Sequence, residues 1–116
     1  MNTSEDRIQQ DIVRWFRNEY CLRHHSPRHM IFHVANQGQN AKEQIRKKAI
    51  GMLPGVSDLI VLANGRCYFV EVKDDKGRQQ PKQIEFEQQV EAQGFDYIIV
   101  RSLTDFKCFV DAFIDN

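Results

Sequence analysis

Several features that mark other protein classes are scarce in this chain of 116 residues. It has only three cysteines, Cys21, Cys67 and Cys108, which lie far apart and form no Cys-x-x-Cys pair. Neither a zinc site nor a disulfide framework is therefore predicted. The apolar runs are all shorter than the roughly 20 residues that a membrane-spanning helix needs, and the polar start of the chain does not resemble a secretion signal. We expect a cytoplasmic protein of a bacterium or a phage-infected cell, with no membrane partner.

The chain also lacks an excess of charge of either sign, because 16 Lys and Arg residues balance 16 Asp and Glu residues. That balance argues against a generally basic protein that coats nucleic acid. The distribution is uneven, since six basic residues and one acidic residue lie between Cys21 and Ile50. Such a surface indicates either phosphate binding or an ordinary solvated helix face. The candidates for DNA binding in this segment are Lys42, Arg46, Lys47 and Lys48.

The order of predicted elements indicates an α/β fold. No repeat or linker is visible, so we predict one domain over residues 1–116. Apolar residues at helical spacing, from Ile8 to Phe16, predict a first helix over residues 4–22. The remaining pattern predicts strands over 30–34, 58–62, 67–73 and 97–100, and helices over 41–50, 81–93 and from 103 onwards. The resulting order α-β-α-β-β-α-β-α predicts a mixed β-sheet flanked by helices, with a parallel pair formed by the last crossover.

An acid and a base stand together in an otherwise apolar strand. Alternate strand residues share a face, so Glu71 and Lys73 should point to the same side of the sheet. A Glu-x-Lys tripeptide is weak evidence by itself, because a strand end near water or a simple ion pair also accounts for it.

Asp58 strengthens the case for a functional site. Asn64-Gly65 predicts a tight hairpin, and Asp58 lies six positions before Asn64 while Glu71 lies six positions after Gly65. The two carboxylates should therefore meet across neighbouring strands. Like charges this close repel unless a cation holds them, and hard cations prefer oxygen ligands. The pattern predicts a Mg²⁺ or Mn²⁺ site, with Lys73 beside it to position water or stabilise negative charge.

Two further polar residues lie on apolar helical stripes and could reach the sheet. Glu5 precedes Ile8 and Ile12, although a surface acid that complements the helix dipole is an equally good interpretation. Glu19, at the other end of the same helix, is the alternative helical acid. Gln83 shares the stripe of Phe86 and Val90. We interpret His33, on the first strand, as an ordinary sheet residue rather than a ligand.

Four segments in this order resemble the VRR-NUC family, which belongs to the restriction-endonuclease-like PD-(D/E)XK nucleases. They are His33-Val34-Ala35-Asn36, Pro54-Gly55-Val56-Ser57-Asp58-Leu59, Phe69-Val70-Glu71-Val72-Lys73 and Gln83-x-x-Phe86. The resemblance covers nearly the whole chain. Ser57 and Ala35 depart from it, because relatives have proline at these positions, but neither side chain would supply a ligand atom.

The resemblance implies a role for each matched residue. Asp58 and Glu71 would be metal ligands, joined by Glu5 and the backbone carbonyl of Val72. Lys73 would be the catalytic lysine and Gln83 the glutamine of the later helix that belongs to the catalytic set. Asn36 matches a position near the site and would contact DNA.

The implied activity is metal-dependent cleavage of DNA without an organic cofactor. Stand-alone members resemble Holliday junction resolvases, so we expect a homodimer that acts on branched DNA. A restriction or repair nuclease for other DNA structures and a non-catalytic module that binds branched DNA remain alternatives. The simplest alternative is a plain α/β domain in which Glu71 and Lys73 form a surface ion pair.

Overall fold

The structure, a computed structural model, describes residues 3–22, 27–35 and 40–115. Its helices are α1 (Thr3–Phe16), α2 (Ala41–Ala49), α3 (Pro81–Ala92) and α4 (Leu103–Phe113), and its strands are β1 (Met30–His33), β2 (Leu59–Ala63), β3 (Arg66–Val72) and β4 (Asp96–Val100). The predicted element order and the α/β class are thus confirmed. In the described part of the chain, no helix is long and apolar enough to cross a membrane.

The four strands form one mixed sheet in the order β1-β2-β3-β4. The β1–β2 and β2–β3 pairs are antiparallel, and β3 and β4 are parallel. Asn64 and Gly65 both have positive φ angles, 55° and 75°, as the predicted tight hairpin requires. The crossover through α3 accounts for the parallel pair.

Different helices pack on the two faces of the sheet. Helices α1 and α4 cover one face, where Phe16, Tyr68, Val70 and Phe106 are among the core residues. Helix α3 lies on the other face, where a smaller core forms around Phe86, Val90 and Tyr97. Because neighbouring strand residues alternate between faces, the valines of β3 enter the larger core. Glu71 and Lys73 therefore lie on the side of α3.

The first predicted helix is wrong in one respect, because α1 ends at Phe16 and a π-helical turn, Arg17–Cys21, continues it. Leu22 N–H donates to the carbonyl of Arg17 at 3.0 Å, which closes this wider turn. The turn places the Tyr20 ring in a stack with Phe16, 5.0 Å between centroids. Aromatic packing thus favours a local geometry that hydrophobic periodicity alone does not reveal.

Candidate active site

A cleft of about 450 Å³ opens at the end of the sheet where β1 and β3 finish and β2 begins. Its lining includes the acids and the base that the sequence singled out: Glu5, Asp6, His33, Val34, Ala35, Val56, Asp58, Glu71, Lys73 and Gln83. The structure therefore brings five predicted residues, Glu5, Asp58, Glu71, Lys73 and Gln83, into one cleft from four parts of the chain. The predicted strands include Asp58 and Lys73, but in the structure these residues lie one position outside β2 and β3.

Asp58 faces Glu71 across the central strand pair. The β2–β3 register pairs Leu59 with Val70, so one further step places Asp58 opposite Glu71. The backbone N–H of Val72 donates to Asp58 Oδ2 at 2.8 Å, in place of a ladder bond that β2 does not supply there. On the other side, the Val34 N–H donates to the Asp58 carbonyl at 3.0 Å. Asp58 is thus fixed to both neighbouring strands.

Glu71 is a buried acid whose surroundings disfavour its negative charge. Gln83 Nε2 donates to Glu71 Oε2 at 2.9 Å, and Lys73 Nζ lies 3.5 Å from the same oxygen. The other oxygen, Oε1, is buried and has no hydrogen-bond partner among the described residues. Burial first, and then the negative charge of Asp58, raises the pKa of Glu71 to about 8, although Lys73 opposes the shift. The upward shift of the pKa favours the protonated form of this carboxyl group when no cation is bound.

Glu5 reaches the edge of the cleft from α1. Its side chain is buried, and Oε2 accepts a hydrogen bond from Asp74 N–H at 3.4 Å. A Cβ at Gly77 would lie 2.7 Å from this oxygen, so the loop after β3 packs closely on Glu5. The alternative acid, Glu19, is exposed in the π-helical turn and does not line the cleft.

The loop beside Glu5 is held by the side chain of Arg101, the residue that follows β4. The Arg101 guanidinium donates to the carbonyls of Asp74 and Gly77 at 2.6 Å and 2.7 Å. The Asp74 side chain accepts from Gly77 N–H at 2.6 Å, which closes the turn. These bonds position the backbone that contacts Glu5.

The donor set fits a hard divalent cation. Among the described residues, no three His, Cys, Asp or Glu side chains form a ready-made metal cage. Mg²⁺ does not need one, because it commonly uses one or two carboxylates and completes its shell with water and substrate phosphate. Glu71 Oε1, which is buried and has no hydrogen-bond partner among the described residues, could act as a ligand of such a cation together with Asp58. The Val72 N–H points towards Asp58. Since the carbonyl and the N–H of a strand residue point to the same side, the Val72 carbonyl also points towards Asp58.

The predicted DNA-binding residues lie mainly on α2. This helix has no buried residues, and Asn40 caps its start by accepting from Glu43 N–H at 2.8 Å. Lys42, Arg46 and Lys48 are exposed, whereas Lys47 forms an ion pair with Glu43 at 3.0 Å. Asn36 lies outside the described residues.

Five residues that line the cleft were not predicted as site residues: Asp6, His33, Val34, Ala35 and Val56. The position of His33 on a strand favours the interpretation as an ordinary sheet residue. Its position three residues before Asn36, inside a segment already singled out, was the one signal available. Val34, Ala35 and Val56 also lie in segments already singled out, whereas Asp6 carried no signal, because its proximity depends on how α1 packs against the sheet.

Comparison with known proteins agrees with this geometry. A family model described as "VRR-NUC domain" matches residues 3–103. The chain belongs to the VRR-NUC family. VRR-NUC domains are nuclease domains, so DNA is the substrate class of this chain. No match was found among curated proteins.

Two solved structures share the fold of this VRR-NUC chain. A "VRR_NUC domain protein" aligns with a TM-score of 0.73 at 18% identity, covering 99% of this chain and 91% of the other. A second, a "VRR_NUC domain", aligns with a TM-score of 0.65 at 20% identity, covering 97% and 99%. At these identities the likeness concerns the fold, including the mixed sheet flanked by helices.

Proposed function

We propose that this VRR-NUC chain is a Mg²⁺- or Mn²⁺-dependent endonuclease that cuts branched DNA, such as a Holliday junction, as a homodimer. The observation that carries the proposal is the pairing of Asp58 with the buried Glu71 in a cleft that also holds Lys73. Burial first, and then repulsion by Asp58, raises the pKa of Glu71. A divalent cation would replace that repulsion with attraction.

The proposed ligands are the side chains of Asp58 and Glu71, with the Val72 carbonyl and Glu5 completing the protein's contribution. A cation held there would polarise the scissile phosphate and lower the pKa of the attacking water. Gln83 would have a positioning role, because it binds Glu71 Oε2 and so leaves Oε1, which has no partner in the described part of the chain, for the cation. The acids also give the cleft a negative charge that would repel DNA without the cation.

Lys73 is the proposed catalytic lysine, and it supplies a positively charged side chain in addition to the metal ion. Its side chain is only 8% exposed, so its charge acts in surroundings with little water. The ammonium would stabilise negative charge on the phosphate oxygens as the attacking water adds. In addition, it would orient that water by hydrogen bonding.

The substrate preference follows from what surrounds the cleft. Helix α2, which follows β1 and precedes β2 in the chain, offers the exposed Lys42, Arg46 and Lys48 to phosphates. Backbone contacts of this kind carry no base sequence, which favours recognition of DNA shape. A symmetric dimer with two clefts would match the two-fold symmetry of a four-way junction.

Cleavage of a set of labelled DNAs tests the proposal. Four-way junctions, flaps and plain duplexes would be incubated with Mg²⁺, Mn²⁺ or EDTA. We expect cuts in the junction with either metal, and none in EDTA. Asp58→Ala should abolish cleavage and Lys73→Ala should slow it by roughly 10²–10³-fold, while both still bind junction DNA. Arg78→Ala, in the exposed loop after β3, is the matched control.

Three outcomes would contradict the proposal in different ways. Full activity in EDTA would exclude the metal-dependent reaction. Discrete fragments from plain duplex, with the junction uncut, would indicate a restriction-type nuclease instead. Junction binding without cleavage in any divalent metal would indicate a non-catalytic DNA-binding module.

A further inference from the structure

His33 lies in the cleft but has no part in the reaction proposed above. It is the last residue of β1, and its exposed ring lines the cleft next to Asp58. His33 Nδ1 lies 2.9 Å from the backbone carbonyl oxygen of Asp58. A carbonyl can only accept a hydrogen bond, so this contact requires the proton on Nδ1. The tautomer of the ring is thus set by Asp58.

The neighbouring Gln9 is compatible with that tautomer. Gln9 Nε2 lies 3.2 Å from the same ring nitrogen, while Gln9 Oε1 is buried with no hydrogen-bond partner among the residues that the structure describes. Turning the amide so that its oxygen faces Nδ1 gives the ring proton a second acceptor. Gln9 of α1 and the Asp58 carbonyl would then both accept a hydrogen bond from the Nδ1–H of His33.

The contact matters because of what else holds Asp58. Its carbonyl accepts from Val34 N–H at 3.0 Å, and its Oδ2 accepts from Val72 N–H at 2.8 Å. His33 therefore supplies the only side-chain bond to the Asp58 backbone that the structure describes. Since Asp58 precedes the first ladder pair of β2, its backbone has less support than the strand residues that follow.

We propose that His33 is a positioning residue, whose Nδ1–H fixes the Asp58 backbone so that the Asp58 carboxylate stays aimed at Glu71. The expected effect on metal affinity rests on the proposed function. The orienting effect of His33 on Asp58 does not depend on it. Groups that orient a metal ligand typically change metal affinity by roughly 10–100-fold when they are lost.

Three substitutions separate this role from others. Asn places an amide N–H near the position of Nδ1, Gln places one near the position of Nε2, and Leu removes both. Because His33 is exposed, all three variants should fold, which circular dichroism would verify. The proposal predicts that His33→Asn behaves like the parent protein, whereas His33→Gln and His33→Leu resemble each other.

The first measurement needs no metal. Amide hydrogen exchange in EDTA would follow the Val72 N–H, which reports on the position of the Asp58 carboxylate. We expect faster exchange at Val72 in His33→Leu and His33→Gln than in His33→Asn, with the Tyr97 amide on β4 as an internal control. Unchanged Val72 exchange in His33→Leu would overturn the proposal.

The second measurement is Mn²⁺ binding to the free protein by calorimetry, with single-turnover cleavage of junction DNA alongside. His33→Leu and His33→Gln should bind Mn²⁺ roughly 10–100-fold more weakly and lose kcat in proportion, with KM for DNA unchanged. A rise in KM alone would overturn the proposal in favour of a direct DNA contact. If the parent protein neither binds Mn²⁺ nor cuts, the proposed function fails, and the exchange data still decide the role of His33.

Discussion

At the scale of single residues, the site is defined by an acid kept in an unfavourable setting. Glu71 is 1% exposed, near a second acid, and one of its oxygens has no partner among the described residues. An ordinary surface ion pair contributes only about 0–1 kcal/mol and needs no such burial. The burial of Glu71 and Lys73 therefore excludes the plain α/β domain with an exposed Glu-Lys pair.

The raised pKa of Glu71 predicts a specific dependence of stability on pH in metal-free protein. The unfolded chain releases this proton near pH 4.5, whereas the folded protein holds it to about pH 8. Unfolding therefore releases a proton between these values, and stability should fall as the pH rises through that window. Glu71→Gln should flatten the profile and stabilise the protein by roughly 1–3 kcal/mol at pH 8.

Urea unfolding in EDTA across pH 4 to 9 measures this effect. Glu85→Gln, on the exposed side of α3, is the control and should keep the slope of the parent protein. A profile for the parent protein that rises towards pH 8 would show that Glu71 is ionised in the fold. Added Mg²⁺ should reverse the loss in the parent protein but not in Glu71→Gln, because binding stabilises the folded state.

At the scale of elements, the turn before β2 is locked to the start of α3. Gly55 has a φ of +83°, and a Cβ there would overlap the backbone carbonyl of Lys82. Asp58 follows this turn and Gln83 lies in the first turn of α3, and both side chains line the cleft. Only glycine permits both the backbone conformation and the contact.

Gly55→Ala should therefore destabilise the protein by about 2–4 kcal/mol and reduce cleavage even below its melting temperature. Gly94→Ala is a matched control, because Gly94 has a φ of +86° with open space around it. It should cost only about 1 kcal/mol, from backbone strain alone. Thermal unfolding of both variants gives the difference, and equal losses would show that the contact with α3 contributes nothing.

Helix α2 is the element that we expect to bind phosphates. Replacing Lys42, Arg46 and Lys48 with Gln should weaken junction binding and lower its salt dependence by roughly 0.9 per lost phosphate contact. Cleavage at saturating DNA should change little, since these residues lie outside the cleft. Fluorescence anisotropy over a range of NaCl concentrations measures both effects. Lys107→Gln on α4 is the control, and an unchanged slope in the triple variant would exclude α2 as a DNA contact.

At the scale of the whole molecule, one part of the sheet is not covered by any of the residues that the structure describes. Helix α3 packs on β4, and on the same face Met30, Phe32 and Leu62 are 52%, 39% and 37% exposed. Met30 lies directly opposite Leu62, so these side chains form a continuous apolar surface. Apolar patches of this kind commonly mark interfaces, which supports the proposed homodimer.

Sedimentation velocity tests the dimer. The protein should sediment with twice the chain mass of 13.7 kDa. Phe32→Glu should give a monomer and reduce paired cuts in a four-way junction, whereas Ile84→Glu, also exposed, should not. A parent protein that stays at the monomer mass at all concentrations would contradict the proposal.

The sequence by itself determined the element order, the hairpin and the register that opposes Asp58 and Glu71, because these follow from local chemistry. Asn64-Gly65 fixes a two-residue turn, and strand alternation then dictates which side chains share a face. The position of Gln83 near the site could also be predicted, since Gln83 lies on the same helical stripe as Phe86 and Val90, which pack α3 against the sheet.

Only the tertiary structure decided the burial of Glu71, the contact of the loop after β3 with Glu5, and the bond from His33 to Asp58. These features depend on contacts between residues far apart in the chain, such as those from α1 to the sheet, whose distances no periodicity encodes. The π-helical turn likewise depends on Tyr20 finding Phe16. Local pattern thus specifies which residues can meet, whereas packing decides how closely they do and how much water remains among them.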